Sequence, residues 1–336
     1  MKELVIAVVG ATGAVGQQIL KVMEERKIPY SDLKMLASAR SAGTEIEYQG
    51  KTYVVEETTE NSFDGVDVAL FAGGPASRAY GRLAQSKGVV VIDNSSTFRL
   101  EPDVPLVVPE VNPEALKEHK GLIANPNCST ILLVSALNPL HQKSKVKNVI
   151  VSTYQAVSGA GKEGIDELEL QVKQSLAGEE TTPNVFQHQI AFNLIPHIDV
   201  WVEDDYTKEE MKLVHETRKI MNDDSIAITP TAVRVPIFRS HSESVYVETE
   251  ETITPEEAKA LLGAAPGIIV QDKPQENIYP MPLYTSDTDE VYVGRIRRDL
   301  NNERALNMWI VFDQLRKGAA TNAVQILEEL IKQDLI

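Results

Sequence analysis

The chain has 336 residues, with 43% hydrophobic and 24% charged side chains, a balance that suits two globular domains and excludes a disordered chain. Its 49 acidic residues outnumber 33 basic ones, for a formal charge of -16. That argues against a nucleic-acid partner, which needs dense Lys and Arg on one face. The single cysteine, Cys128, excludes an intrachain disulfide and gives no sign of an oxidising compartment.

In chain order, Leu4–Val9 is a continuous apolar run of the kind expected for a strand buried on both faces. An acidic residue precedes it and a glycine turn ends it, so it reads as a first strand and not a signal peptide. Gln17–Glu25 has helical apolar spacing, Leu33–Ala37, Val66–Phe71 and Val89–Ile92 read as strands, and Ala76–Lys87 as a helix. Strands alternating with helices predict a Rossmann-type doubly wound parallel sheet. Ser129–Leu137 reads as a helix, and its apolar stretch from Ile131 is too short to span a bilayer. A cytoplasmic protein without membrane contact is expected.

Beyond this point the pattern changes to long alternating strands, Val146–Gln155, Ser244–Glu250, Glu290–Arg297 and Leu306–Phe312. These predict a mostly antiparallel sheet with one face exposed or covered by a partner. Ala320–Leu335 reads as an amphipathic helix that packs back on the first domain. The expected organisation is therefore α/β: a nucleotide-binding domain from 1–127 plus 313–336, with an α+β catalytic and dimerisation domain inserted at 128–312.

Gly10-Ala11-Thr12-Gly13-Ala14-Val15-Gly16 lies between the first strand and the first helix. Glycines there allow a tight turn and let backbone N–H groups approach a pyrophosphate at the helix N-terminus. The spacing is GxxGxxG and not the commoner GxGxxG, and such turns also simply close strand–helix corners. NAD sites place an acid at the end of the second strand, roughly 20 residues on. This strand ends Ala37-Ser38-Ala39-Arg40-Ser41, where Arg40 and Ser41 suit the 2′-phosphate of NADP.

A lone cysteine is either a small buried hydrophobe or a nucleophile. Cys128 follows Asn125-Pro126-Asn127 and precedes an apolar helical run, so it is predicted at a helix N-terminus. There the free amides and the helix dipole favour a thiolate and suit an oxyanion. Of six histidines, His119, His141 and His215 read as surface residues, and His188 and His197 as structural. His241 lies in a polar cluster between apolar strands and is the preferred acid/base candidate.

Asn125–Thr130, Thr153-Tyr154-Gln155-Ala156-Val157-Ser158-Gly159-Ala160-Gly161 and Arg234–Ser242 together resemble the aspartate-semialdehyde dehydrogenase family. The glycine loop, Asp93–Arg99 and Asp313-Gln314-Leu315 also fit, and the resemblance runs over essentially the whole chain. It implies NADPH-dependent reduction of L-aspartyl 4-phosphate to L-aspartate 4-semialdehyde and phosphate, in lysine, threonine, methionine and diaminopimelate biosynthesis. It also implies a thioester on Cys128, a homodimer, and no metal.

By the same resemblance His241 is the acid/base and Gln155 orients the substrate. Arg234 binds the substrate carboxylate, Glu209 its ammonium group, and Asn127 makes a further substrate contact. Arg99 and Lys212 hold the phosphate. Gly10, Thr12, Gly13, Ala14, Val15, Arg40, Ser41, Ser158, Gly159 and Gln314 contact the cofactor. Glu209 and its neighbour Glu210 remain alternatives. Rival readings are an N-acetyl-glutamyl-phosphate reductase, whose cysteine usually follows Asn-Pro-Gly, and a non-catalytic NADP-binding sensor.

Overall fold

A computed structural model describes residues 4–336. The chain folds as two compact units, one running to Asn127 and resuming at Gly318–Ile336, the other Cys128–Lys317.

The first unit is built on a parallel sheet. Its strands are β1 (Val5–Val9), β2 (Asp32–Ala37), β5 (Glu56–Glu57), β6 (Val68–Phe71), β7 (Val90–Asp93) and β8 (Leu122–Ala124), after a small hairpin of β3 (Glu45–Tyr48) and β4 (Lys51–Val54). The spatial order is β5-β2-β1-β6-β7-β8. β1 therefore has β2 on one side and β6 on the other, the switch point at which open α/β sheets bind ligands. Helices α1 (Ala14–Glu25) and α2 (Gly74–Ser86) and the C-terminal helix Thr321–Lys332 cover the sheet. One core joins Ile6 and Val8 of β1, Ile19 and Met23 of α1, and Val324 and Leu327 of the C-terminal helix. The apolar residues of these helices fall on one stripe, which is why the chain's last segment belongs to its first unit.

The second unit begins with α3 (Cys128–Lys143), followed by β9 (Val146–Gln155), α4 (Lys162–Ala177), α5 (Lys208–Met221), β10 (Ala227–Arg234) and β11 (His241–Thr249). It continues with α6 (Pro255–Ala264), β12 (Ile268–Val270), α7 (Pro282–Thr285), β13 (Val291–Arg298) and β14 (Ala305–Phe312). Its six strands run β10-β9-β11-β14-β13-β12. The sheet is mixed: β10 joins β9 and β12 joins β13 in parallel, and the central pairings are antiparallel. One face is buried, carrying Val149, Val151, Val245 and Ile310, and α3 packs against these strands. The other face carries Ile150, 49% exposed, and the tilted ring pair Tyr154 and Trp309, 5.3 Å apart.

Several boundaries depart from the sequence reading. α3 runs past Pro139 to Lys143 because Leu140 still packs in the core. β11 starts at His241, so part of the polar cluster belongs to the strand. β8, β10 and β12 were not anticipated; β10 breaks its apolar pattern with Thr229, Pro230 and Thr231, and the other two have three residues each. Residues 313–317 lie with the second unit and not the first. Asp313 accepts from Asp287 N and pairs with Arg239, and Arg316 pairs with Asp289, all in that unit. No helix among the described residues is long and apolar enough to cross a membrane.

The glycine loop shows why its residues cannot grow. Gly10 has φ +87°, and a Cβ on Gly16 would lie 2.1 Å from the Gly10 carbonyl oxygen. Gly16→Ala is expected to destabilise the protein by about 1–3 kcal/mol through overpacking. Urea denaturation monitored by circular dichroism would measure this, and an unchanged midpoint would contradict it.

Candidate active site

Three neighbouring strands of the second unit bring the candidate residues together. Parallel pairing sets Arg234, the last residue of β10, beside Gln155, the last of β9. Antiparallel pairing of β11 with β9 sets Ser242 beside Tyr154, so His241 begins its strand where β9 ends. α3 opens on Cys128, which is partly buried. No acidic side chain occupies the first turn of α3, which leaves the helix dipole free to stabilise a thiolate.

Arg234 is 7% exposed, donates from Nη1 to the Ala156 carbonyl (2.8 Å) and lies over the Phe186 ring. Burial pulls its pKa down from the usual guanidinium value, while the negative charge of Glu209 and Cys128 pushes it up. Guanidinium keeps its proton under such opposition. Arg234 is thus a fixed positive charge within electrostatic reach of the Cys128 thiol.

Glu209 follows the cap residue Thr207 in the first turn of α5. Its Oε1 accepts from Gln155 Nε2 (3.2 Å) and its Oε2 from Lys212 Nζ (2.9 Å). Glu210 faces elsewhere: its oxygens accept from the backbone N–H groups of Thr207 and Ala232. Of the two acids left open by the sequence, Glu209 faces Gln155 and Lys212, and Glu210 completes the capping box with Thr207. Lys212 also donates to Asp199 Oδ2 (2.8 Å). Burial opposes the Lys212 charge, but the two carboxylates outweigh it and raise its pKa. Asp199 had no legible motif; it is an isolated acid in an apolar run, and its φ of +70° is a conformation few residues other than Gly, Asn and Asp adopt.

His241 is fully buried, and its Nδ1 accepts from the Ala156 backbone N–H (3.1 Å). A backbone amide can only donate, so the neutral ring carries its proton on Nε2. Burial first, then the charge of Arg234, bring its pKa down to about 3. Gly159 makes this crowding possible. A Cβ there would sit 2.7 Å from Arg234 Nη1 and 3.4 Å from His241 Nε2. Beside it, Gln314 donates to Ser158 Oγ and accepts from Ser240 N (2.8 Å).

The remaining candidates lie in the first unit. Arg99, 7% exposed, donates to the carbonyls of Asn125 (2.9 Å) and Asn94 (2.8 Å). Asn127 is buried. Gly10 N and Ala11 N both donate to Leu36 O, so the end of β2 abuts the glycine loop. Thr12, Gly13 and Ala14 are exposed there, and Val15 half-buried, at an α1 N-terminus with no acidic residue in its first turn. Arg40 is exposed and Ser41 half-buried in the turn after β2. This cradle fits a dinucleotide phosphate: a side chain on Gly16 would collide with the loop, and the helix end carries no competing anion. His119 and His141, expected at the surface, are half-buried, because the Nδ1 of each accepts a backbone N–H, from Gly121 and Val146. His197 stacks on Trp201 at 4.5 Å.

Comparison with known proteins accounts for both units. Residues 5–119 match the family described as semialdehyde dehydrogenase, NAD binding domain, and residues 137–317 match semialdehyde dehydrogenase, dimerisation domain. The fold and its site thus define a semialdehyde dehydrogenase with a nucleotide-binding domain. An aspartate-semialdehyde dehydrogenase of Aquifex aeolicus is 56% identical over 98% of this chain and 99% of its own. A crystal structure of aspartate semialdehyde dehydrogenase II from Vibrio cholerae, complexed with ASA, superposes with a TM-score of 0.96 at 46% identity over 99% of both chains. One from Candida albicans, with NADP, gives 0.77 at 26% identity over the full length of both. The chain belongs to the aspartate-semialdehyde dehydrogenase family.

An unfolded histidine takes up a proton near about 6.5, whereas folded His241 does so only at about 3. With a folded pKa below the unfolded one, this residue's contribution to stability is complete above the unfolded value and falls as pH drops through that window. Nitrogen NMR of the histidines is expected to show His241 as an Nε2–H tautomer that does not titrate between about pH 5 and 8. An imidazolium signal for His241 at neutral pH would contradict the geometry.

Proposed function

We propose that this enzyme reduces L-aspartyl 4-phosphate to L-aspartate 4-semialdehyde with NADPH, through a thioester on Cys128. The observation that carries the mechanism is Cys128 at a helix N-terminus within electrostatic reach of Arg234, with Gln155, Glu209 and His241 gathered about that guanidinium. The same enzyme would run the reverse reaction from semialdehyde, phosphate and NADP.

The substrate presents a carboxylate, an ammonium group and an acyl phosphate. Arg234 offers a guanidinium fork to the carboxylate. Glu209, already the acceptor for Gln155 and Lys212, takes the ammonium group. Gln155 and Asn127 orient the acyl carbon, and Lys212 with Arg99 neutralises the phosphate, which would otherwise repel the thiolate. Cys128 attacks the acyl carbon as the thiolate, the bond to phosphate breaks, and phosphate leaves to take its proton from solvent.

His241 acts here as a neutral hydrogen-bond donor. With Nδ1 occupied by the Ala156 N–H, the ring has no free lone pair at Nε2 with which to accept the thiol proton. It offers Nε2–H to the oxygen that becomes negative in each tetrahedral state, as an electrophile does. The thiolate itself is supported by the helix end and Arg234. NADPH, when bound, supplies the hydride that reduces the thioester. The resulting alkoxide reforms its C=O bond and expels the Cys128 thiolate, so the cycle closes without a proton passing through the imidazole.

Gly10, Thr12, Gly13, Ala14 and Val15 would hold the cofactor pyrophosphate, Arg40 and Ser41 its 2′-phosphate, and Ser158, Gly159 and Gln314 its nicotinamide end. The division into two units supports assignment of residues 1–127 plus 318–336 to NADP binding and of the second unit to catalysis and dimerisation, with 313–317 on the catalytic side. The exposed sheet face with Ile150, Tyr154 and Trp309 suits pairing of two copies into a homodimer. A biosynthetic role accords with the family name, and the cytoplasm is the compartment we propose for it. Asn-Pro-Asn before Cys128 separates this chain from the rival N-acetyl-glutamyl-phosphate reductase pattern.

Two measurements test these assignments. Cys128→Ala is expected to lower NADPH formation from semialdehyde, phosphate and NADP by more than about a thousandfold, and retained turnover would overturn the thioester route. Arg40→Ala is expected to weaken NADP binding about tenfold, the loss of one charge-assisted pair, with NAD unaffected. Equal losses for both cofactors in a titration would count against the 2′-phosphate contact.

A further inference from the structure

One buried acid takes no part in the chemistry described so far. Glu243 lies on β11 two residues beyond His241, so both side chains stand on the same, helix-covered face of the sheet. It is 0% exposed, and neither carboxyl oxygen has a hydrogen-bond partner. Across the ladder stand Thr153 of β9 and Ile310 of β14. Thr153 Oγ1 accepts from Gln155 Nε2 (3.2 Å). The acid therefore sits directly beneath the substrate-orienting amide and beside the histidine.

Of the ionisable groups, β11 contributes His241 on the same face, and α5 contributes Glu209, whose charge acts on the Glu243 carboxyl. β9 and β14 present Thr153, Gln155, Ile310 and Phe312, none ionisable. Two carboxyl groups in one dry region do not both ionise. Glu209 has Lys212 Nζ and Gln155 Nε2 to stabilise its charge, and Glu243 has no such partner. The negative charge goes to Glu209 and the proton stays on Glu243. Burial, and then the charge of Glu209, hold the Glu243 carboxyl well above the usual carboxylate range.

We propose that Glu243 is a positioning residue that works only as the uncharged acid, keeping Glu209 ionised for the substrate amine and His241 a neutral Nε2–H donor. A charge on Glu243 would draw a proton onto His241 and displace the Ala156 amide from Nδ1. It would also repel an anionic substrate. This deepens the thioester reading above and rests on it for its effect on turnover, though not for its effect on stability.

The sign of that effect follows from linkage. The folded pKa lies above the unfolded one, so the contribution to stability is complete below the unfolded value and is lost as pH rises through the folded value. Glu243→Gln imitates the neutral acid and removes this penalty. It is expected to melt at a temperature equal to or above wild type at acidic pH, with the gap widening from about pH 5 to 9. Glu243→Met, also neutral and of similar length, is expected to show the same trend. A variant gap that narrows or reverses with pH in both proteins, or failure of both to fold, would overturn the proposal, because each outcome would mean that an ionised carboxylate holds the site together.

Turnover supplies the second readout. Glu243→Gln is expected to keep kcat and the KM for semialdehyde within about twofold at neutral pH, while the fall of kcat/KM on the alkaline side moves to higher pH. A loss of more than about tenfold at neutral pH with a normal melting curve would also overturn it. A purely structural glutamate would leave the pH profile where it was. Turnover absent in wild type, with the predicted melting trend intact, would instead count against the thioester reading alone.

Discussion

The Arg234 guanidinium, buried at the end of β10, acts together with burial on the charge state of the groups around it. A cation removed from water has to be answered by nearby negative charge and hydrogen-bond acceptors. Here the answer is the Ala156 carbonyl, the Glu209 carboxylate and the thiol of Cys128. The same cation helps keep His241 neutral. A thiolate is thus favoured and an imidazolium disfavoured by one residue.

That arrangement depends on close approach. Gly159 lies against both Arg234 and His241, and a single added carbon would push the guanidinium away from the Ala156 carbonyl. Ala156 in turn uses its carbonyl for Arg234 and its amide for His241. One peptide segment after β9 therefore orients both side chains through its backbone. Its side-chain identity matters little for that purpose, which hides its importance from any motif built on side chains.

The acids divide into distinct tasks by what surrounds them. Glu210 caps α5, Glu209 carries charge among donors, Asp199 shares Lys212 with it, and Glu243 has no donor at all. Their carboxyl groups are nearly alike in isolation. The differences come from partners supplied by other strands and helices, and burial enlarges every such difference because the low-dielectric interior screens charge poorly.

The sequence by itself determined a good deal. Period-2 and period-3.6 patterns located β1, α1, β2, β9, β13, β14 and the C-terminal helix, since long amphipathic or buried runs encode their own faces. The glycine loop and the absence of an acid after β2 were legible because they act through local backbone and charge. Cys128 at a helix start was legible for the same reason. What only the tertiary structure decided were partnerships across the chain. The Glu209 to Gln155 bond spans a sequence separation of 54, and the Ala156 to His241 bond one of 85. The different partners of Glu209 and Glu210, the tautomer of His241, the pinning of Lys212 by Asp199 and the isolation of Glu243 all arise from strand register and helix rotation. Those bring together residues that no local pattern relates.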